Sequence, residues 1–359
     1  MNFDLSEEQY SLQDTVRRFL SDSLPPQRLI RIYDRDEGLD RGYWKALADL
    51  GVAGILAPEE HGGLGLSLLD QAIVSEVAGY CGAPDPLLAH ALATLAIALC
   101  GSEEHKRRWL PGLASGEIVA SYAVAEQGDR WQPGQWRLAA ANGRLTGSKR
   151  NVLFAADADL FLVGLAGGTF ALVEKGAPGL TVEAVDGIDR TRRIGWLHFA
   201  DTPCDALPGG AAQAARVHDA GLVLLAADAF GGASRAIDMT VEYAKQREQF
   251  GRAIATFQGV KHQIANIGTH VETTRGLYWY AAYAFDHRPE ESARVAALAK
   301  ALCTDRYFDA ARAMIELHGG IGYTWQFHAQ VWYKRAVFDR QYFGPPSEHR
   351  ERAAALAGW

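Results

Sequence analysis

The spacing of apolar and polar residues changes twice along the chain. Over residues 1–118, apolar positions recur at helical intervals, and Ser6 followed by Gln9 forms a capping-box pattern at the start of the first run. Breaks such as "SLPPQ" and "PEEHGGLGL" divide this stretch into several helices. The pattern therefore predicts an N-terminal helical domain over residues 1–118.

Residues 119–219 have a different pattern. Short β-prone segments such as "DLFLVGL" and "TFALVEK" alternate with turn-forming pairs, among them Asn142-Gly143 and Gly167-Gly168. A stretch of roughly 100 residues is also close to the usual size of a domain. The pattern predicts a middle domain that is a β-barrel or a sandwich.

Long helical runs fill residues 220–359. One of them extends from Phe257 to His287 with few helix-breaking residues. Runs of this length are typical of a helix bundle, so we expect a C-terminal four-helix bundle. The predicted fold class is therefore α+β and multidomain, with helices before and after a β domain.

Composition and charge narrow the class of protein. The chain has 359 residues and a formal net charge of −7 at pH 7, which argues against nucleic acid as the main partner. Its four cysteines lie far apart, so we expect buried reduced thiols rather than a metal site or disulfides. The acidic start is unlike a signal peptide, and runs such as "AHALATLAIALC" are too short to span a bilayer. We expect a cytoplasmic protein without a membrane partner.

Two segments of the C-terminal region contain residues that helix packing alone does not explain. Gly319, Gly320 and Gly322 fall within four consecutive positions of "ELHGGIGYTW", directly after a helical run. Each glycine weakens a helix by about 1 kcal/mol, so these positions predict that another molecule closely approaches the backbone. The segment "QREQFGRAIATFQ" places Arg247 and Phe250 at a turn between two predicted helices.

Together with "PEEHGGLG" and the helix–barrel–helix order, these segments resemble the acyl-CoA dehydrogenase family over essentially the whole chain. The resemblance implies an FAD-dependent dehydrogenase of acyl-CoA thioesters, assembled as a tetramer of two dimers with FAD at subunit interfaces. Arg247 and Phe250 would reach the pyrophosphate and adenosine of a flavin held mainly by a neighbouring subunit. A guanidinium suits that role because it forms paired hydrogen bonds with phosphate. Gly319, Gly320 and Gly322 would let the chain pass beside the ADP moiety.

The resemblance does not extend to the catalytic base. Family members carry a glutamate at one of two positions, which fall here on Phe343 and Gly221, and neither residue can abstract a proton. No catalytic residue is therefore assigned. Carboxylates near these two positions are Asp228, Asp339 and Glu348, of which Asp339 is the first candidate for a displaced base.

The implied flavin contacts also depart from the family pattern. The loop "AVAEQGDRWQPG" keeps Glu126 and Gly128 but loses the Gly-Ser run that the family has there. The family's Trp-Ile-Thr step, whose hydroxyl reaches flavin N5, falls on residues 151–153, where Leu153 offers no hydrogen bond. Glu316, in the implied cofactor-binding set, replaces a common Gln, and an acid near pyrophosphate is unfavourable unless it bonds elsewhere.

The residues implied to serve a neighbour's cofactor are thus present, and those implied to serve the chain's own site are largely absent. This asymmetry favours the base-free subunit of a heterotetrameric acyl-CoA dehydrogenase, whose homologous partner subunit carries the glutamate. Enzymes of bacterial steroid degradation resemble this arrangement, so we expect a bulky acyl-CoA substrate, such as a steroid side-chain thioester, and electron-transfer flavoprotein or a similar acceptor. Two alternatives stay open: a self-sufficient homo-oligomeric flavoenzyme with a displaced base, and a non-catalytic acyl-CoA-binding or scaffold protein.

Overall fold

The computed structural model describes residues 4–34, 38–128, 130–324 and 326–359. The α-helices within them are α1 (Glu7–Ser23), α2 (Pro26–Asp34), α3 (Arg41–Ala48), α4 (Leu68–Cys81), α5 (Leu87–Cys100), α6 (Glu103–Ala114), α7 (Ala211–Gln246), α8 (Gln258–Glu272), α9 (Arg275–His287), α10 (Pro289–His318), α11 (Ala329–Gln341) and α12 (Pro346–Leu356). The β-strands are β1 (Ala120–Ala123), β2 (Ala140–Ala141), β3 (Arg144–Leu153), β4 (Leu160–Leu165), β5 (Thr169–Glu174), β6 (Leu180–Val185), β7 (Ile194–Pro203), β8 (Asp205–Ala206), β9 (Glu248–Gln249) and β10 (Arg252–Ala253). The order of helices, β region and helices is the one that the sequence predicts.

Local sequence patterns fix several of these boundaries. The hydroxyl of Ser6 accepts the backbone N–H of Gln9 at 3.2 Å, and the Gln9 side chain accepts the backbone N–H of Ser6 at 3.0 Å. This reciprocal pair is the predicted capping box at the start of α1. Between β2 and β3, Asn142 and Gly143 have φ of +50° and +71°, the left-handed geometry that a tight hairpin turn requires.

The chain forms two compact units. The mixed unit holds the described residues of 37–71 and 84–222, and the helical unit holds those of 1–36, 72–83 and 223–359. The three-domain division at residues 118 and 219 remains a prediction. Helix α7 nevertheless begins at Ala211, inside the stretch assigned to the β domain, because its alanine-rich start favours helix.

Two four-stranded sheets occupy the mixed unit. One has the strand order β1-β4-β5-β8, with β1 and β4 parallel, and the other has the antiparallel order β2-β3-β7-β6. Their shared core includes Leu145, Phe161, Val163 and Leu197, each 0% exposed. The sequence pattern misses β6, because its side chains are all exposed or half-buried and show no apolar stripe.

In the helical unit, α10 packs against α8, α9, α11 and α12. The run Phe257–His287 contains two helices, α8 and α9, which are separated by Thr273 and Thr274. The hydroxyl of Thr273 donates to the carbonyl oxygen of His270 at 2.8 Å, and that of Thr274 to Val271 at 2.7 Å. Such side-chain bonds compete with helical backbone bonds, which accounts for the break between α8 and α9.

Helix α7 is long and apolar enough to span a membrane by length and composition. However, 83% of its most apolar window is buried inside the protein. A helix that is apolar on most of its faces and surrounded by protein is typical of a core helix. This helix is therefore weak evidence for a membrane span.

The four cysteines are free thiols. Cys81, Cys100 and Cys303 are buried, and Cys204 is half-buried. Burial raises the pKa of Cys100 to about 11 and that of Cys303 to about 12, so both thiols are protonated at neutral pH. Among the residues that the structure describes, no group of three or more acids, histidines or cysteines is placed to hold a metal ion.

Candidate cofactor-facing site

The C-terminal ends of α7 and α10 lie together in the helical unit. The ring of Tyr243, in the last turn of α7, stacks on the imidazole of His318, the last residue of α10, with ring centroids 4.3 Å apart. Nδ1 of His318 donates to the carbonyl oxygen of Met314 at 2.7 Å, and burial lowers the pKa of His318 so that the ring is neutral. The stack brings together the segments that follow each helix, one with Arg247 and the other with the glycine-rich loop.

Strands β9 and β10 form a hairpin directly after α7. Its two turn residues, Phe250 and Gly251, have φ of +53° and +73°, the geometry of a type I′ turn. Glycine adopts this conformation readily, whereas the same conformation strains the backbone of phenylalanine. The side chain of Phe250 is nevertheless 93% exposed and has one aromatic neighbour among the described residues, Phe257, at 6.1 Å between ring centroids. A strained backbone that presents a bare aromatic ring is typical of a binding segment.

Arg247 is fixed through its backbone and exposed at its side chain. Its N–H donates to the carbonyl oxygen of Tyr243, and its own carbonyl oxygen accepts the N–H of Ile254, each at 2.8 Å. The side chain is exposed and makes no hydrogen bond or ion pair with the residues that the structure describes. The guanidinium is therefore available to an anion from outside the chain, and phosphate matches its paired donors.

The three glycines of the loop after α10 differ in their surroundings. A Cβ on Gly322 would lie 2.6 Å from the carbonyl oxygen of Ile315, so the fold itself requires glycine there. A Cβ on Gly319 or Gly320 would meet no atom of the described residues within 4 Å, although Gly319 has φ of +62°. The described residues therefore give no steric reason for glycine at position 320. Trp325, the last residue of the quoted motif, lies outside the described residues.

The acid in the predicted cofactor-binding set has a partner of its own. Oε1 of Glu316 accepts a hydrogen bond from Nε of Arg312, one helical turn earlier in α10, at 3.0 Å. This pair offsets the negative charge that sequence reasoning found unfavourable beside a pyrophosphate. Glu316 therefore does not by itself exclude an anion beside Arg247 and the glycine loop.

The position of the family's usual glutamate is closed. Phe343 is 1% exposed and has φ of +63°, and Gly344 follows with φ of +99°. The carbonyl oxygen of Phe343 accepts Nε2–H of His349 at 2.9 Å, and burial lowers the pKa of His349 to about 3. A neutral imidazole and an aromatic side chain hold this turn, and Phe343 supplies no group that can take a proton.

Asp339, the first candidate for a displaced base, is 0% exposed. Lys300, also fully buried, donates from Nζ to the carbonyl oxygens of Arg340 and Gly344 at 3.2 Å each. Burial lowers the pKa of Lys300 to about 7, although the negative charges of Asp339 and Asp305 oppose that shift. The surroundings of Asp339 are thus a buried electrostatic cluster behind the Phe343 turn.

The other two acids also have structural neighbours. Asp228 is buried and forms a two-bond ion pair with Arg335, at 2.9 Å to Nε and 2.6 Å to the terminal nitrogen. Arg335 donates in addition to the carbonyl oxygen of Ala83 at 3.0 Å. Glu348 is half-buried beside Gly344, where a Cβ would lie 2.9 Å from its carboxylate. Asp228 therefore has a clear structural role as an ion-pair partner.

In the mixed unit, two further positions of the family's site hold apolar residues: Gly221 at the alternative base position and Leu153 at the position of the flavin N5 contact. Gly221 is buried within α7. Leu153 is 1% exposed, and its backbone carbonyl accepts the hydroxyl of Ser121 at 2.5 Å. Neither position presents a polar side chain, and the absence of these two contacts to flavin or substrate remains a prediction.

Glu126, the acid kept from the family's loop, bonds within the protein. Its Oε1 accepts Nζ of Lys149 at 2.7 Å and the backbone N–H of Leu138 at 2.9 Å, and both oxygens accept the N–H of Arg137. Burial acts to raise the pKa of Glu126, but these bonds outweigh it and lower the pKa. Burial lowers the pKa of Lys149 to about 8. Sequence reasoning misses this pair, since nothing in "GSKRN" marks Lys149 as buried.

Comparison with known proteins identifies the family. The model described as "Acyl-CoA dehydrogenase, N-terminal domain" matches residues 6–117, and "Acyl-CoA dehydrogenase, C-terminal domain" matches residues 209–356. The acyl-CoA dehydrogenase IpdE2 of Mycobacterium tuberculosis is 31% identical over 346 residues, which is 95% of each chain. The chain therefore belongs to the acyl-CoA dehydrogenase family.

Solved structures agree with this assignment and with the predicted fold. The steroid ACAD Tcur3481-Tcur3483 is 31% identical with a TM-score of 0.90 and 98% of each chain covered. The ChsE4-ChsE5 complex from Mycobacterium tuberculosis is 26% identical with a TM-score of 0.89, over 100% of this chain and 99% of that one. The resemblance to steroid-type members is confirmed at the level of the family.

FAD is the cofactor of this family, and the site described above fits part of it. The open space beside Gly319 and Gly320, the exposed ring of Phe250 and the unpaired guanidinium of Arg247 form an outward-facing set suited to a nucleotide diphosphate. The structure brings these segments together through the contact of Tyr243 with His318. At the family's usual base position it places Phe343, whose side chain is 1% exposed.

Proposed function

We propose that this chain is the base-free subunit of a heteromeric, FAD-dependent acyl-CoA dehydrogenase and that it completes the FAD site of a homologous partner subunit. One contrast within the helical unit carries the proposal. The residues that suit a dinucleotide face outward, with Phe250 93% exposed, whereas the base position holds Phe343, 1% exposed. A chain with the dinucleotide-facing residues but without the base would bind part of an FAD whose chemistry requires the carboxylate of a partner subunit.

The residues of this chain have binding roles in that assembly. The Arg247 guanidinium neutralises the pyrophosphate, and the Phe250 ring packs on the adenosine, which orients the cofactor of the partner. Gly319 and Gly320 leave room for the ADP moiety. When bound, FAD supplies the acceptor for the hydride from the β-carbon of the acyl thioester. The carboxylate that removes the α-proton comes from the partner subunit, because Phe343 cannot do so.

The proposed substrate is a bulky acyl-CoA such as a steroid side-chain thioester. The support is similarity to proteins described as a steroid ACAD and as the two-chain ChsE4-ChsE5 complex. We further propose a heterotetramer of two chains of each kind, a cytoplasmic location, and electron-transfer flavoprotein or a similar acceptor for reoxidation. These points go beyond family membership and need their own tests.

The test is an activity assay on three preparations: this chain alone, a homologous partner alone, and the two co-expressed. We expect α,β-desaturation of a steroid-type acyl-CoA only from the co-expressed pair. Replacing the catalytic glutamate of the partner by glutamine should abolish that activity, whereas Asp339→Asn in this chain should leave it within about threefold. Turnover by this chain alone that disappears with Asp339→Asn would overturn the proposal in favour of a displaced base.

A further inference from the structure

A cavity of about 320 Å³ opens in the helical unit, and none of the residues assigned to the cofactor-facing site lines it. Its wall is built from α1, the start of α2, the end of α4, the second half of α7 and the segment from His328 into α11. The charged and aromatic side chains of this wall are Arg17, Tyr80, Arg235, His328 and Trp332. The volume is at the lower end of the range for small-molecule sites, about 300–1,000 Å³.

Two arginines make the cavity positive. The guanidinium carbon of Arg17 lies 4.6 Å from the ring centroid of Tyr80, and that of Arg235 lies 5.6 Å from the same ring and 5.7 Å from Trp332. Both side chains are half-buried, and neither forms an ion pair with the residues that the structure describes. Two like charges beside one ring repel each other, so an anion placed between them would be stabilised.

Nearby acids are engaged elsewhere and do not line the cavity. Asp238 accepts the hydroxyl of Tyr80 at 2.8 Å. Glu76 is buried and accepts hydrogen bonds from the hydroxyl of Tyr278 and from Gln13. No carboxylate is among the described lining residues. The positive charge of the two arginines is therefore only partly offset.

The remaining walls are rigid and largely apolar. Nε1–H of Trp332 donates to the backbone carbonyl oxygens of Gly79 at 3.1 Å and Tyr80 at 3.2 Å, which fixes the indole ring. Pro25 and Pro26, in the turn from α1 to α2, have restricted backbones. A wall that needs no rearrangement reduces the entropy lost on binding.

His328 adds a neutral polar group. Burial lowers its pKa to about 4, and the positive charge of Arg235 acts in the same direction. At neutral pH the imidazole is uncharged and can donate one hydrogen bond. The cavity thus combines two cations, one neutral polar ring and an apolar wall.

We propose that this cavity binds a small organic carboxylate with an apolar body, a ligand class separate from the acyl-CoA and FAD of the proposed function. The carboxylate lies between Arg17 and Arg235, and the apolar body packs against Trp332 and the Pro25-Pro26 turn. Inorganic phosphate would satisfy the arginines but leave the apolar wall without a contact. A neutral amide of the same shape would fill the space without the charge.

The experiment uses the full-length protein in the assembly in which it purifies, titrated with benzoate and followed by ligand-observed NMR. Arg17→Gln and Arg235→Gln should each weaken benzoate binding about fivefold or more, because each removes a charge-assisted hydrogen bond. Arg18→Gln is the matched control, since Arg18 is the next residue of α1, is exposed and does not line the cavity. It should leave the affinity unchanged.

A second variant tests the same charge without removing an arginine. Ser21 is exposed at the cavity wall, so Ser21→Glu should fold normally and repel benzoate, with at least a fivefold loss of affinity. Benzamide and inorganic phosphate should each bind at least fivefold more weakly than benzoate. The proposal is overturned if benzoate does not bind, if benzamide or phosphate binds equally well, or if Arg18→Gln has the same effect as Arg17→Gln.

Discussion

Two regions of the helical unit differ in how far their functional-site positions are exposed: one around Arg247 and Gly320, and one around Phe343. Around Arg247 and Gly320 the chain exposes an aromatic ring, an unpaired guanidinium and glycines with open space beside them. Around Phe343 it buries an aromatic ring, a lysine and a neutral histidine in a tight turn. The first region exposes groups that make no hydrogen bond or ion pair with the described residues, whereas the side chain of Phe343 and the ammonium group of Lys300 lie inside the chain. In the proposed function, the first region acts across a subunit interface, and the second marks the missing base of the chain's own site.

The largest effect on unfolding free energy is expected when an acid is placed at Phe343, where the family's usual glutamate falls. Phe343→Glu would bury a carboxylate at a position 1% exposed, and we expect a loss of about 3–5 kcal/mol in unfolding free energy. Burial raises the pKa of such an acid above its unfolded value, so the part of the loss that exceeds the Phe343→Gln control should be small below about pH 4 and grow as the pH rises. Chemical unfolding at several pH values, with Phe343→Gln as the uncharged control, measures it.

The same variant tests whether a carboxylate alone restores a site. Because Leu153 and Gly221 also lack the contacts of a working site, Phe343→Glu alone should not turn over an acyl-CoA. Turnover by the variant without a partner subunit would show that the chain's own site is intact except for its base. That result would contradict the inference that the region around Phe343, unlike the region around Arg247, has lost its role in the site.

In the region around Arg247 and Gly320, the largest effect on FAD affinity is expected from removing the charge of Arg247. Arg247→Gln should lower the FAD affinity of the co-expressed pair about tenfold or more, because hydrogen bonds to charged groups contribute about 1.5–3 kcal/mol. Lys245→Gln is the matched control, since Lys245 is an exposed cation in the last turn of α7. Equilibrium FAD titration measures both, and equal effects would indicate general electrostatics rather than a specific phosphate contact.

The glycines of the loop give a paired test in which one effect is on binding and the other on folding. Gly322→Ala should cost about 1–3 kcal/mol in stability, because its Cβ would collide with the carbonyl oxygen of Ile315. Gly320→Ala should leave the unfolding free energy of this chain unchanged within about 0.5 kcal/mol but weaken FAD binding by the pair. Unchanged FAD affinity in Gly320→Ala would show that no dinucleotide passes beside that residue.

A further effect is expected in the pH dependence of stability, from Lys300 behind the turn at Phe343 and Gly344. The pKa of Lys300 is about 7 in the folded chain against 10.5 for the free side chain, so the unfolded state binds more protons between those values. Stability from this group therefore rises as the pH rises from about 7 to about 10. Lys300→Met should reduce that slope by up to about 1.4 kcal/mol per pH unit, measured by urea unfolding. Lys245→Met, at an exposed site, should not change the slope.

Local patterns in the sequence predict the features that depend on local contacts. The Ser6–Gln9 capping box, the Asn142-Gly143 turn and the order of helices and strands follow from residues a few positions apart. The break at Thr273 does not, because a threonine hydroxyl can point to solvent or bond its own backbone with the same sequence. Strand β6 lacks an apolar stripe, so its pairing with β7 decides its conformation.

The candidate site likewise has features that the sequence predicts and features that it does not. The sequence itself shows that position 343 holds no acid and that Arg247 is present. The partners of buried charges are not, since Lys149 meets Glu126 across 23 positions and Lys300 meets Gly344 across 44. The cavity between Arg17 and Arg235 depends on contacts across still longer separations. Only the folded chain shows that Gly320 has open space beside it while Gly322 does not.

The most direct test of the central claim is the flavin absorbance of this chain purified alone, compared with the same chain co-expressed with a homologous subunit that carries the catalytic glutamate. The account predicts no bound flavin in the first preparation and about one FAD for each pair of chains in the second. A full FAD for each chain in the protein purified alone would contradict it.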